Sequence, residues 1–188
     1  MRLRWVGGVV AVIVAGGVAA GVPASAARAE SLDPLVRSAA ERVATSDQVA
    51  AAKWGTGQPI DDPAREQQVL DGVARRSVEL GLDPEETERV FRDQIEASKL
   101  VQRGLQEYWA AHPDRQPTER PDLGRVRPEI DRLNDELLTE LRDTEQVREH
   151  ASCGGRLLAA YRHVDADMRL DALHRAGLGR ALPSVCGG

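Results

Sequence analysis

The sequence predicts an all-α protein that folds as a single domain of six helices. Signs of β-strands are almost missing, because no stretch alternates polar and apolar residues for long and the whole chain contains only six aromatic residues. Signs of helix starts are frequent. Asp33-Pro34, Asp62-Pro63 and Asp83-Pro84 each place a carboxylate where it can cap a helix and a proline where it suits the first turn.

The first two predicted helices cover residues 34–54 and 63–80. Thr45-Ser46-Asp47 is expected to break or kink the first, and Gly81 provides the residue that ends the second. Helical spacing predicts that their buried faces carry Leu35, Val36, Ala39, Ala40, Val43, Ala50, Trp54, Val69, Leu70, Val73 and Leu80.

The third predicted helix is long and covers residues 84–111. Asp83 and Glu86 form a capping-box-like pair at its start, and Pro113 stops it. Residues 113–122 then form a proline-rich connector inside the domain. The inward positions of this helix are Val90, Phe91, Ile95, Val101, Leu105 and Trp109.

Three further helices are predicted after the connector, at residues 125–148, 155–166 and 168–177. The first of these has a clear apolar stripe, formed by Ile130, Leu133, Leu137, Leu138 and Leu141.

The N-terminal segment, residues 1–29, has the features of a cleaved secretory signal peptide. Arg2 and Arg4 precede an apolar run, and Ala27-Arg28-Ala29 fits a small-x-small cleavage site, with Ala24-Ser25-Ala26 as a second choice. The alternative is an uncleaved membrane anchor, but the run is short and rich in glycine for a span. Residues 30–188 are expected to form the domain.

Charge and cysteine content narrow the function further. The chain carries a net charge of −5, and loss of the three arginines of the signal segment brings the domain to −8. A negative surface argues against nucleic acid and anionic membranes as partners. In an exported protein Cys153 and Cys186 are expected to form a disulfide, the alternative being two buried free thiols.

Familiar catalytic motifs are absent. The sequence contains no serine-hydrolase elbow, zinc-protease helix, P-loop or dinucleotide-binding fingerprint. No CxxC or Cys/His ligand pattern is present, so no metal site is predicted. The four histidines lack ligand spacing and are expected to lie at the surface or near helix ends.

Seven residues from three stretches of the chain suit a small ligand with several carboxylates. Two cations eleven residues apart share one helical face, since that spacing is close to three turns. Two neutral hydrogen-bonding residues lie at i and i+4. Together with an acid-rich helix start, they supply cations, carboxylates and neutral donors: Arg42, Lys53, Asp62, Arg65, Glu66, Ser98 and Gln102.

The order and spacing of these residues resemble the all-helical type II chorismate mutases, and the exported subgroup of that family in particular. The resemblance extends from about residue 31 to residue 186. It implies a six-helix fold that rearranges chorismate to prephenate without a cofactor, outside the cytoplasm. It also suggests a homodimer in which each chain holds a complete site.

The resemblance assigns the two catalytic donors to Lys53 and Gln102. Lys53 resembles the lysine that bonds both the ether oxygen and a carboxylate of the substrate, and Gln102 resembles the second donor to the ether oxygen. Arg42 resembles the first-helix arginine that binds a substrate carboxylate.

The remaining substrate-binding residues are also carried over from the family pattern. Asp62, Arg65 and Glu66 match a segment that receives the substrate hydroxyl and helps hold an anion. Ser98 resembles a hydroxyl residue that contacts the ring carboxylate, and Arg127 resembles an arginine that the exported subgroup supplies from its fourth helix.

A second class of function competes with this interpretation. A non-enzymatic exported helical module would bind an anionic metabolite or a protein partner through the same cations. Such a module needs the arginines but not both Lys53 and Gln102, so the presence of both favours the enzyme. Other arginines are expected to be solvated surface charges: Arg75, Arg76, Arg103, Arg132 and Arg142.

Overall fold

The computed structural model describes residues 31–187, and within them the chain forms helices and no strands. The predicted all-α fold class is therefore confirmed. In chain order the helices are α1 (Asp33–Ala44), α2 (Ser46–Lys53), α3 (Pro63–Leu80), α4 (Pro84–Ala111), a 3-10 turn (Pro113–Arg115), α5 (Leu123–Asp143), α6 (Glu145–Glu149), α7 (Cys153–Met168) and α8 (Ala172–Ala181).

The first predicted helix is divided at Thr45 into α1 and α2, at the break that the sequence indicates. The Thr45 hydroxyl donates a hydrogen bond to the carbonyl oxygen of Arg42 (2.7 Å), which satisfies that carbonyl outside the helix ladder. Thr45 keeps right-handed helical angles (φ −63°, ψ −16°). Trp54 was expected inside this helix but lies just beyond it, because α2 ends at Lys53.

Two of the three predicted aspartate caps are present. Asp62 accepts a hydrogen bond from the backbone N–H of the third residue of α3, and Asp83 does the same at α4. The prediction for Asp33 is wrong, since Asp33 is the first residue of α1 and its carboxylate bonds the His163 ring (2.9 Å). Gly81 ends α3 with a left-handed φ of 78°, as predicted.

The C-terminal helices have different bounds from those predicted. The helix expected at 125–148 starts at Leu123, because the Asp122 side chain caps it, and it is followed by a separate short helix, α6. Pro128 lies inside α5. The last two predicted helices are displaced, because α7 continues to Met168 before ending at Arg169 in a left-handed conformation (φ 53°).

The hydrophobic core lies around α1 and α4. α1 packs against α5, α7 and α8, while α4 packs against α2, α3 and α8. Phe91 and a run of leucines on α5 are fully buried there. Val69, Ile95 and Ile130 were predicted to face inward but are only partly buried, because they line a cavity between the helices.

The predicted disulfide joins Cys153, at the start of α7, to Cys186, beyond the end of α8, with a Cα–Cα distance of 5.8 Å. A bridge that closes a loop of 33 residues is expected to contribute about 3–4 kcal/mol through the entropy of the unfolded chain. It lies at the C-terminal end of the bundle, and neither cysteine lines the cavity.

Within residues 31–187 no helix has both the length and the apolar character needed to span a membrane. The predicted signal peptide, residues 1–29, lies outside the described residues, and its cleavage stays a prediction.

Candidate active site

A cavity of about 260 Å³ lies among the helices α1 to α5 and the loop that precedes α3. All eight residues predicted for the site line it, although they come from positions as far apart as residues 42 and 127. The complete lining is Arg42, Val49, Lys53, Gln58, Pro59, Ile60, Asp62, Arg65, Glu66, Val69, Ile95, Ser98, Lys99, Gln102, Leu123, Arg127 and Ile130.

Arg42 is the most buried of the cations that line the cavity, with only 5 % of its surface exposed. Its Nε donates to Oδ1 of Asn134 (2.7 Å) and one terminal nitrogen donates to the Gln94 carbonyl (3.1 Å), while the guanidinium lies over the Phe91 ring. Burial lowers the pKa of Arg42 to about 10, with Asp131 opposing the change, so the group stays charged at neutral pH. Three of its five N–H donors have no partner among residues 31–187 and are available to a ligand.

Lys53 ends α2 and is held by the loop that follows it. Its Nζ donates to the carbonyl oxygens of Pro59 (2.9 Å) and Ile60 (3.1 Å), which leaves one of three N–H donors without a partner in the described part of the chain. Burial lowers the pKa of Lys53; nearby carboxylates such as Asp62 oppose this effect and Arg127 adds to it. The ammonium is therefore fixed at the wall with one donor open.

Ser98 and Gln102 lie one turn apart on α4. The Ser98 hydroxyl oxygen accepts from the Ser46 hydroxyl (2.9 Å) and from the Gln102 amide nitrogen (3.0 Å), so its own hydrogen remains free to donate. Gln102 is only 4 % exposed, and its Oε1 has no hydrogen-bond partner among the described residues. The Gln102 amide nitrogen has two hydrogens, so the one that is not bonded to Ser98 can be donated to a ligand while the Ser98 hydrogen stays free.

The start of α3 presents Asp62, Arg65 and Glu66 to the cavity. The Asp62 carboxylate accepts from the backbone N–H of Arg65 (3.1 Å), and the backbone N–H of Asp62 donates to Glu66 Oε1 (3.2 Å). These two bonds fix the first turn of α3 in the manner of a capping box. The Arg65 guanidinium reaches Asp131 on α5 at 3.6 Å, a contact loose enough to be replaced by a ligand anion.

Arg127 lies near the start of α5 and is exposed. It lines the cavity, whereas Arg125 does not. Arg127 makes no hydrogen bond or ion pair within residues 31–187, yet its charge helps to lower the pKa of Lys53, so the two cations lie near each other. Nothing in the described chain neutralises Arg127, which favours an anionic ligand at this edge.

The cavity is positive although the chain is acidic. Five cations and two carboxylates line it, against a net charge of −5 for the whole chain. A locally positive cavity in a negative protein attracts small anions. The cations are Arg42, Lys53, Arg65, Lys99 and Arg127, and the carboxylates are Asp62 and Glu66.

Sequence reasoning missed three residues that support the site. Lys99 lines the cavity and binds Glu66, Ser46 supports Ser98, and Asn134 supports Arg42. Asn134 lies seven residues after Arg127 on α5, and this two-turn spacing is a signal that was available. Lys99 gave no such signal, because its acidic partners Asp61 and Glu66 come from distant parts of the sequence.

The histidines of the described chain lie outside the cavity. His163 is exposed on α7 and pairs with Asp33, and His174 lies near the start of α8 and pairs with Asp171. One is therefore at the surface and the other near a helix end, as predicted. No group of three or more histidine, cysteine or acidic residues within residues 31–187 is arranged to hold a metal ion.

Comparison with known proteins identifies one family. Residues 33–103 match the model of chorismate mutase type II, a segment that includes every predicted site residue except Arg127. The chain is 36 % identical to the secreted chorismate mutase of Mycolicibacterium smegmatis over 163 residues, which cover 87 % of this chain and 90 % of that relative. It is 34 % identical to the secreted chorismate mutase of Mycobacterium tuberculosis over 155 residues, or 82 % of this chain and 78 % of the relative.

Solved structures agree with the sequence relatives. A crystal structure of chorismate mutase from Burkholderia phymatum superimposes with a TM-score of 0.81 at 39 % identity, covering 86 % of this chain and 99 % of that one. The chorismate mutase from Burkholderia thailandensis gives a TM-score of 0.79 at 36 % identity, covering 82 % of this chain and 98 % of that one.

Proposed function

The chain belongs to the chorismate mutase type II family, and from this membership we infer that it converts chorismate to prephenate in the cavity described above. It is a chorismate mutase, and like the relatives whose names call them secreted, it acts outside the cytoplasm. The observation that carries the assignment to this cavity is that the open donor of Lys53 and the buried amide of Gln102 line the same positive cavity.

The proposed reaction is a pericyclic rearrangement that needs no nucleophile and, in our proposal, no metal or cofactor. The substrate must be held in a compact conformation, which removes conformational freedom before the chemical step. As the C–O bond breaks, negative charge develops on the ether oxygen. Lys53 and Gln102 are proposed to donate hydrogen bonds to that oxygen, each worth about 2.7–4 kcal/mol of the barrier when preorganised.

The other cations are proposed to bind the two carboxylates of the substrate. Arg42 offers three open N–H donors from a fixed position, and Arg65 and Arg127 lie nearer the outside of the cavity. Because these groups contact charges that are present before and during the reaction, they stabilise substrate and transition state to similar degrees. Their loss should therefore raise KM more than it lowers kcat.

The neutral and acidic residues are proposed to fix the orientation of the ring. Ser98 has a free hydroxyl hydrogen for the ring carboxylate, which agrees with its two accepted bonds from Ser46 and Gln102. Glu66 retains lone pairs that accept the hydrogen bond of the ring hydroxyl, and Asp62 fixes the helix turn beside it.

The direct test of this function is the loss of the diene absorbance of chorismate on addition of the purified protein, in excess chelator. We expect turnover far above the uncatalysed rate. A folded, helical, disulfide-bonded preparation with no turnover would refute the enzyme assignment and favour the non-enzymatic binding module.

We also propose that the protein is a homodimer with one complete site in each chain. Support comes from the single chain, which lines its own cavity with all eight predicted residues. Mixed dimers of Arg127→Ala and Lys53→Ala subunits should therefore recover no activity. Substantial recovery would show that a site is shared between chains.

A further inference from the structure

The Lys99 side chain is a partly buried cation at the cavity wall, with 11 % of its side-chain surface exposed. Its Nζ contacts three carboxylates: Glu96 on its own helix (2.6 Å), Asp61 on the loop before α3 (3.1 Å) and Glu66 on the first turn of α3 (3.2 Å). An ammonium has three N–H donors, so these contacts use all of them. Lys99 therefore lines the cavity without a donor left for a ligand.

The three carboxylates that contact Lys99 differ in their other interactions. Asp61 also accepts two hydrogen bonds from one nitrogen of Arg103 (2.7 and 2.8 Å), and Glu96 belongs to the same helix as Lys99. Glu66 has a single further bond, from the backbone N–H of Asp62 (3.2 Å). Of the three carboxylates, Glu66 is the one that also lines the cavity.

The carboxylates around Lys99 stabilise its charged form. Burial alone lowers the pKa of Lys99, but the hydrogen bonds to Glu96, Asp61 and Glu66 outweigh that effect and raise the pKa above its ordinary value. The Lys99 cation between α4 and α3 fixes the direction of the Glu66 carboxylate. Lys99 Nζ lies 3.2 Å from both Glu66 oxygens. Oε1 also accepts from the Asp62 N–H, so Oε2, which accepts only from Lys99 within residues 31–187, keeps a lone pair for a ligand.

We propose that Lys99 is a positioning residue that holds the Glu66 carboxylate toward the substrate's ring hydroxyl, and thereby sets the preference of the enzyme for a hydroxylated ring. This inference rests on the proposed function, because it takes the chorismate hydroxyl as the group that Glu66 accepts. A site built to bond a hydroxyl discriminates against an analogue that lacks it, because its polar group is then left unpaired.

The test compares kcat/KM for chorismate with kcat/KM for the analogue that lacks the ring hydroxyl, measured on the same protein. The ratio of the two is the readout, since a general loss of folded enzyme lowers both equally. In Lys99→Met this preference should fall by about tenfold, the value of a hydrogen bond to a charged group. Lys99→Arg keeps the charge and should retain most of the preference.

Arg103→Met is the matched control, since it removes a cation that contacts Asp61 but not Glu66. It should leave the preference unchanged. The inference is overturned if Lys99→Met keeps the wild-type ratio, or if Arg103→Met lowers the ratio equally. In a Glu66→Gln background Lys99→Met should change the ratio no further, and an undiminished effect there would also overturn it.

A second variant and the wild-type turnover complete the test. If Lys99→Met does not fold, Lys99→Gln keeps hydrogen-bond donors without the charge and should lower the ratio in the same direction; an unchanged ratio contradicts the inference. Absence of any turnover in the wild-type protein would contradict the proposed function itself. Turnover with a preference that is insensitive to residue 99 contradicts only the role of Lys99.

Discussion

Replacement of Lys53 by methionine removes the ammonium while keeping a side chain of similar length. Two of the three Lys53 donors bind the carbonyls of Pro59 and Ile60, so the variant loses one open donor toward the ether oxygen. A preorganised donor aimed at developing charge is worth about 2.7–4 kcal/mol, so kcat should fall by about 10² to 10³. The loop before α3 also loses two bonds, so a moderate loss of stability should accompany the change.

The pH dependence of kcat/KM separates this role from a loss of stability. Because burial lowers the pKa of Lys53 below the ordinary value of 10.5, wild-type kcat/KM should decline on the alkaline side before that pH is reached. The residual activity of Lys53→Met should lack the contribution of Lys53 to this decline and keep only that of Arg42, whose pKa is about 10. Arg142→Met is the control, since Arg142 is exposed and pairs with Asp143 away from the cavity. A Lys53→Met enzyme within about threefold of wild-type kcat would refute the reasoning, because it would show a donor worth far less than about 2.7 kcal/mol.

Three further predictions concern the second donor, a histidine and the disulfide. The kcat of Gln102→Glu should be impaired near neutral pH and recover partly as pH falls, because a carboxyl group donates only when protonated. As a control, Gln102→Ala should be slow at every pH. If Gln102→Glu matched wild type at every pH, Gln102 would not be the donor to the ether oxygen. His174 accounts for part of the pH dependence of stability: the hydrogen bond to Asp47, followed by the contact with Asp171, raises its pKa from 6.5 to about 9. Its contribution, at most about 3 kcal/mol, should be fully present below the unfolded pKa and be lost as pH rises through the folded value. Urea unfolding on both sides of this window should show the loss in wild type and a smaller one in Asp47→Asn; equal losses would contradict the assignment. Reduction of the disulfide should lower the free energy of unfolding by about 3–4 kcal/mol and leave room-temperature turnover largely intact. Detection of two free thiols in the unreduced, unfolded protein would show that Cys153 and Cys186 are not bonded.

The helices could be predicted where local chemistry determines them. The acid–proline caps at α3 and α4 and the left-handed Gly81 act through neighbouring residues, so their positions are visible in the sequence. The end of α7 was missed because Arg169, a residue with no intrinsic preference for a left-handed conformation, terminates it. Tertiary packing, which the sequence does not display, determines that boundary.

The site could be predicted only in part for a related reason. The eight residues follow a family spacing, so the sequence indicated that they converge, and they line one cavity. The supporting contacts depend on how helices meet: Asn134 reaches Arg42 across 92 positions, and Lys99 meets Glu66 across 33. On α4 alone, Lys99 looks like a solvated surface cation, and only the acids of the neighbouring loop and helix explain its low exposure.

The most direct test of the proposed site is a crystal structure of the protein with a bicyclic ether dicarboxylate that mimics the transition state. We expect the ligand to occupy the cavity among α1 to α5, with its ether oxygen within hydrogen-bond distance of Lys53 Nζ and of the Gln102 amide nitrogen. Its carboxylates should contact Arg42 and Arg127 of the same chain. A ligand bound elsewhere, or an ether oxygen that contacts neither Lys53 nor Gln102, would show that this cavity or these two donors are wrongly assigned.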